Sequence, residues 1–237
     1  MKLLLATRDR TLTLTEQRVM TTLIDLEIQT LTPYLQILIP SIPSLTSPPV
    51  ITSMDLPPIV AHNPNVAYSL VLALLTAAPL NAHPQGSYVY LDALKQLPPT
   101  LPSFDLLARL LQDTTTLTDF ATGGKTTVTD VVRLEVLGRF IHEGIKWLEN
   151  AEREERDGLI SDDRFAKGVQ NVRVLVQLIT CADMVAQLCR FYTSLMRLSI
   201  VDPASDSDAT EMVHFTLRNS RFEEANALYR LLAAGRF

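Results

Sequence analysis

Apolar residues recur at intervals of three and four along most of the chain, the period of a helix with one buried face. Leu134, Leu137, Ile141, Ile145 and Leu148 form such a stripe inside a helix expected over 128–156. The other face of that helix carries Glu135/Arg139, Glu149/Arg153 and Glu152/Arg156 at i,i+4, the pairing of a solvated surface. Start signals agree with the period. Thr13 with Glu16 makes a capping box ahead of a helix over Glu16–Leu31, and Thr32-Pro33 restarts a short one. Asn63-Pro64 is a cap and first-turn pair opening helix 64–78, which is apolar on all sides, so Leu70, Val71 and Leu74 are expected in the core.

Helices are also expected over 86–97, over 104–112 behind Ser103, and after Ser161, where Val172, Leu175, Val176 and Ile179 share a face. A further helical stretch, the acidic loop 202–209 and a C-terminal helix from about 210 complete the chain. No segment alternates convincingly at the strand period. The expectation is an all-α fold of stacked helical hairpins with no β-sheet, read as one domain over 1–237. A connector at 40–58 with six prolines and loops at 113–127 and 202–209 interrupt it. No repeat of fixed period supports a regular solenoid.

Composition changes this picture little. A chain of 237 residues with 47% apolar side chains can bury a large core in one extended domain or two small ones. Eight glycines lean against turn-rich β architectures. A net charge of −5 gives no general field for nucleic acid or an anionic membrane. Thirteen of fourteen prolines fall between Pro33 and Pro102, a span whose charged residues are Asp55, Asp92 and Lys95. Residues 133–173 are charge-rich by contrast, so a covered half joined to a solvated half is expected.

Cys181 and Cys189 lie eight apart on one expected helix, roughly 12 Å by helical rise, too far for a disulfide. Leu3 to Ala6 is too short for a signal-peptide core, and Val66–Ala78, the most apolar stretch, ends at Pro79. The chain is expected to be soluble and intracellular.

Candidate chemistry is sparse. Gly124-Lys125-Thr126 ends like a phosphate-binding loop, but the first glycine of that pattern is replaced by Asp119, which puts a carboxylate where amides must cradle phosphate. The preceding residues are not strand-like, and Thr127 with Asp130 offers a competing helix cap. His142-Glu143 resembles a metalloprotease helix whose second histidine would be residue 146, here Lys146. The loop "DPASDSDA" lacks the glycine and glutamate of a calcium loop. No catalytic, cofactor or metal residue is assigned.

Three segments carry a family resemblance: "LPPIVAHNPNVAYSLVLALL" (56–75), "QNVRVLVQLI" (170–179) and "SRFEEANALYRLL" (220–232). Together they resemble the C-terminal domain of subunit 11 of the CCR4-NOT deadenylase complex, and residues 3–27 fit it more loosely. The 113–127 loop, the charged 152–165 turn and the residues around 190–209 depart from it.

The resemblance implies a fragment of a longer subunit, an irregular α-solenoid of the HEAT/MIF4G type, and a non-catalytic adaptor in cytoplasm and nucleus. Its implied partners are subunit 10, the N-terminal region of scaffold subunit 1 and further recruited regulatory proteins, in a complex that shortens mRNA poly(A) tails.

In the C-terminal stretch, Phe222, Ala225, Leu228, Tyr229 and Leu232 are expected inward and Arg221, Glu224 and Arg230 outward. Candidate partner-binding residues are Arg218, Arg221, Glu224, Tyr229 and Arg230. The competing reading is direct RNA contact through Arg190, Phe191, Tyr192 and Arg197, or through Arg218, Arg221, Tyr229 and Arg230. A third reading is a helical interaction domain of another assembly.

One outcome follows from the missing phosphate cradle. Lys125→Ala should leave stability and partner binding unchanged; a measurable ATP or GTP affinity that this substitution abolishes would contradict the reading.

Overall fold

The structure is a computed structural model that describes residues 2–38, 52–77, 87–118, 124–156, 181–204 and 208–234. The described helices are α1 (Lys2–Asp9), α2 (Leu14–Leu38), α3 (Leu56–His62), α4 (Pro64–Ala77), α5 (Ser87–Lys95), α6 (Leu101–Leu110), α7 (Val128–Val131), α8 (Gly138–Arg156), α9 (Cys181–Arg197), α10 (Asp208–Arg218) and α11 (Glu223–Ala234). The chain was read above as one domain; its residues cluster into two compact units, 1–94 with 109–132, and 95–108 with 133–237.

The fold is mostly all-α, as expected, but "no β-sheet" needs correction. Thr116–Thr118 (β1) pairs antiparallel with Lys125–Thr127 (β2), in register Thr116↔Thr127 and Leu117↔Thr126. Threonines are β-branched and favour this extended ribbon. Lys125 and Thr126 are therefore strand residues, and Thr127 caps α7, its hydroxyl accepting from the Asp130 N–H at 3.1 Å. In a phosphate-binding loop those residues would open a helix.

In the first unit, α2 packs against α4. Met20 and Ile24 on α2 are buried, as are Val66, Leu70, Val71 and Leu75 on α4. Leu74, expected in the core, is half-buried, and the neighbouring Leu75 takes the buried place. Composition alone could not rank two adjacent leucines on a helix that is apolar all round. The capping box at Thr13 stands, with the Thr13 N–H donating to Glu16 Oε2 at 2.9 Å. Arg10 closes on the same carboxylate, and with it holds the Glu16 carboxyl down to about 2. The helix that follows runs unbroken to Leu38, where a restart at Thr32-Pro33 was expected: proline lacks one donor but does not end the helix here.

Asn63 does more than the sequence indicated. Its Oδ1 accepts from the Leu12 N–H at 2.8 Å, and its Nδ2 donates to the carbonyls of Thr7 and Arg10, each at 2.8 Å. The buried side chain is thus spent on the α1–α2 turn, not on the first amides of α4. Tyr68 on α4 donates to Asp113 Oδ2 at 2.6 Å, and the Arg109 guanidinium lies 5.1 Å from the Tyr68 ring centroid. Burial, then the Asp113 carboxylate, pushes the Tyr68 hydroxyl up to about 12.

In the second unit, Phe104 (α6), Phe140 (α8) and Phe191 (α9) meet with ring centroids 5.0 to 6.2 Å apart. α6 starts at Leu101, earlier than Ser103 implied; the Phe104 N–H bonds the Thr100 carbonyl at 3.0 Å, and Ser103 is buried inside the helix. Between α7 and α8 lies a π-helical stretch, Val132–Leu137. Its wider turn rotates Leu134 off the expected stripe and leaves it 81% exposed, while Leu137, Ile141, Ile145 and Leu148 are buried.

α9 ends on Ser199 at φ 56°, the left-handed region. There the Ile200 N–H bonds the Leu195 carbonyl and the Ser199 N–H bonds the Met196 carbonyl, closing the last turn. The single C-terminal helix expected from about 210 is two, α10 and α11, divided at Asn219–Phe222. The helix placed after Ser161 lies outside the described residues.

Three substitutions test this packing. Asn63→Ala removes partners from one buried donor and two carbonyls and should cost about 3 kcal/mol or more in a denaturant titration, since each orphaned group costs roughly 1–3. Leu75→Ala should cost about 2–5 kcal/mol and Leu74→Ala clearly less; equal losses would contradict the assigned helix face.

Candidate docking surface at the C-terminal helices

α8 buries Phe140, Ile141, Ile145 and Leu148, and α10 buries Ala209, Met212, Phe215 and Thr216. Beside these apolar faces runs a polar seam. His142 Nδ1 lies 2.8 Å from Glu211 Oε1, Arg218 pairs with Glu149, and Arg221 Nη2 donates to Glu152 Oε1 at 2.9 Å. Each pair is separated by 69 residues, so the numbers climb together and α8 and α10 run parallel in constant register. The steps of seven and three on α8, and of seven on α10, are spacings that return a helix to one face; Arg221 extends the series from the turn after α10. At the start of the seam a Cβ on Gly138 would lie 2.8 Å from an Asp208 carboxylate oxygen, so glycine lets the two helices approach there.

These contacts correct two of the expected surface pairs. Glu149 bridges to Arg218, not to Arg153, and Arg139 pairs with Glu143 at 2.7 Å, not with Glu135. Glu152 bridges to Arg221; the side chain of its expected partner Arg156 lies outside the described residues.

Phe222 N–H donates to the Asn219 carbonyl at 2.9 Å, closing the turn that sends α11 back against α10. Asn219 is buried, its Nδ2 donating to the Phe215 carbonyl at 3.0 Å. The Arg221 guanidinium also sits 4.7 Å from the Phe222 ring centroid. Glu224 in the first turn of α11 accepts from Arg190 on α9. Its own backbone N–H, then the Arg190 guanidinium, hold its carboxyl below the usual range.

Ala225, Leu228 and Leu232 of α11 are buried, as expected; Phe222 and Tyr229, also expected inward, are half-buried at the margin. Ala227, Arg230, Leu231 and Ala234 form the outward face. Arg230 is exposed and makes no ion pair among the described residues.

The five candidate residues therefore divide. Arg218, Arg221 and Glu224 hold helices together; the Arg218 and Arg221 side chains stay 62% and 60% exposed, and Glu224 is half-buried. Arg230 is exposed, and Tyr229 lies half-buried at the margin of the same helix. Sequence reasoning missed Glu149, Glu152 and Arg190 as partners, and Leu231 as an exposed apolar side chain. The matching steps 142–149–152 and 211–218–221 were the available signal.

The rival set is dispersed. Phe191 and Tyr192 are buried, Phe191 within the aromatic cluster, so neither offers a stacking face to a base. Burial pushes the Cys189 thiol up to about 12. Among the described residues no group of three or more His, Cys, Asp or Glu is placed to hold a metal ion, and no helix is long and apolar enough to cross a membrane.

A family model described as CCR4-NOT transcription complex subunit 11 matches residues 60–233, nearly three-quarters of the chain. The chain belongs to that family. No curated protein matches the chain. The match includes segments 170–179 and 220–232 and most of 56–75. Residues 3–27, with α1 and the start of α2, precede it. The matched range thus takes in α8, α9, α10 and all but the last residue of α11.

Exposed ion pairs contribute little, about 0–1 kcal/mol. Arg218→Ala and Arg221→Ala should each change unfolding free energy by about 1 kcal/mol or less in a denaturant titration. A loss of several kcal/mol would show that the seam carries the fold.

Proposed function

We propose that this chain is a non-catalytic adaptor of the CCR4-NOT deadenylase complex, a protein-docking module in mRNA deadenylation, mRNA decay and post-transcriptional regulation. The observation that carries the reading is membership of a family of complex subunits over a range that includes α8–α11. A subunit needs a surface for its neighbours, and the outward face of α11 supplies one of suitable chemistry. Leu231, 45% exposed, and Ala227 provide apolar area, Tyr229 an aromatic with a polar tip, and Arg230 a charge that can steer a partner.

The partners fitting this reading are subunit 10 and the N-terminal region of scaffold subunit 1, with regulatory proteins recruited in addition. The cytoplasm, and the nucleus as a second compartment, are where the complex would be met.

Direct RNA binding is the weaker alternative. Of its aromatic candidates Phe191 and Tyr192 are buried, and Arg218 and Arg221 are engaged by carboxylates.

Affinity purification from the source cell's extract should recover subunit 10 and the scaffold with the wild-type protein. A still-folded Arg221→Glu/Arg230→Glu variant should recover less of at least one of them. Recovery of no specific protein by the folded wild type would overturn the adaptor reading, whereas a silent charge reversal would move the docking face elsewhere. Tight, salt-dependent binding of an oligonucleotide would favour the RNA alternative.

A further inference from the structure

Ser220 sits between Arg218 and Arg221 in the turn that joins α10 to α11, and we propose that it is a phosphorylation site whose phosphate draws both arginines from α8. Its side chain is exposed and has no hydrogen-bond partner among the described residues. The bond from the Phe222 N–H to the Asn219 carbonyl puts Ser220 and Arg221 at the two corner positions of the turn, where a kinase can reach the backbone. Buried Asn219 anchors the turn beneath them.

The transfer is ordinary kinase chemistry with a nucleoside triphosphate. The Ser220 Oγ bonds to the γ-phosphorus, the bond to the β-phosphate oxygen breaks and the diphosphate leaves. The hydroxyl proton passes to the kinase's base. A serine flanked by arginines on both sides suits a kinase that selects basic sequence.

The product is a group of charge about −1.5 to −2 with three acceptor oxygens, on a turn residue between two arginines whose side chains are 62% and 60% exposed. Each arginine now serves a single carboxylate, Glu149 or Glu152, in a pair weakened by water. Phosphate accepts bidentate, charge-assisted bonds from arginine more strongly than a solvated carboxylate does, and the N-terminus of α11 adds favourable field. Glu149 and Glu152 would be released, turning a balanced seam acidic at the base of α11. Any consequence for partner docking rests on the function proposed above; the modification and its arginine contacts do not.

Two measurements decide the proposal. Phosphopeptide mapping of the full-length protein, immunopurified directly from phosphatase-inhibited cells, should find phosphate on Ser220; an unmodified Ser220 overturns the proposal. In protein carrying phosphoserine installed at 220, the phosphate resonance should titrate below its ordinary value of about 6. The value should return to the ordinary one in the Arg218→Ala/Arg221→Ala variant. Identical titrations in the two proteins overturn the proposed contacts. Neither readout involves a partner, so both can succeed while co-purification fails.

Discussion

The parallel run of α8 and α10 at a fixed offset is the constraint on which helices α8 to α11 depend. Apolar faces on both helices supply the driving force, because Ile141, Ile145, Leu148, Met212 and Phe215 leave water together. Such burial is non-directional and would tolerate a slip along the axis. The seam His142–Glu211, Glu149–Arg218 and Glu152–Arg221 does not tolerate it, since a shift of one turn would set unlike partners against each other. Its exposed pairs add little energy but choose the register. Once that register is set, the turn at Asn219–Phe222 starts α11 at one place, and Glu224 ties that helix to Arg190 on α9. The outward face of α11 is fixed as a consequence.

The other unit has its own constraint in Asn63. A short polar side chain satisfies one amide and two carbonyls of a distant turn, so the chain between α1 and α2 needs no ordered water there. Hydrophobic packing of α2 on α4 then begins from a defined point.

Periodicity made much of this legible, and the failures have physical causes. Helices 64–78, 86–97 and 128–156 were readable because their apolar positions recur at the helical period and their caps are local. Thr13–Glu16 and Thr127–Asp130 close within three residues, so sequence shows both partners. Asn63 was readable as a boundary residue but not as a long-range anchor, because nothing local marks where its side chain bonds. Leu134 left the stripe because a π-helical turn changes the period for six residues, and no residue type signals that. The ribbon at 116–127 was hidden because two strands of three residues are too short to show alternation. Asn219-Ser220 is an ordinary turn signal, and it was overlooked inside an otherwise helical pattern. The candidate residues at 218–230 were found through the family resemblance. That three of them hold helices together, while Arg230 faces outward and Tyr229 sits at the margin, depended on Glu149, Glu152 and Arg190, which lie 34 to 69 residues away.

The central claim is that the outward face of α11 meets a neighbouring subunit, and side-chain footprinting tests it directly. Hydroxyl-radical labelling of Tyr229 and Leu231 would be compared between the free protein and the assembled deadenylase complex. The account requires strong protection of both side chains in the complex, with little change at exposed Leu14 and Met54 in the other unit. Equal labelling of Tyr229 and Leu231 in the free and assembled states would contradict it.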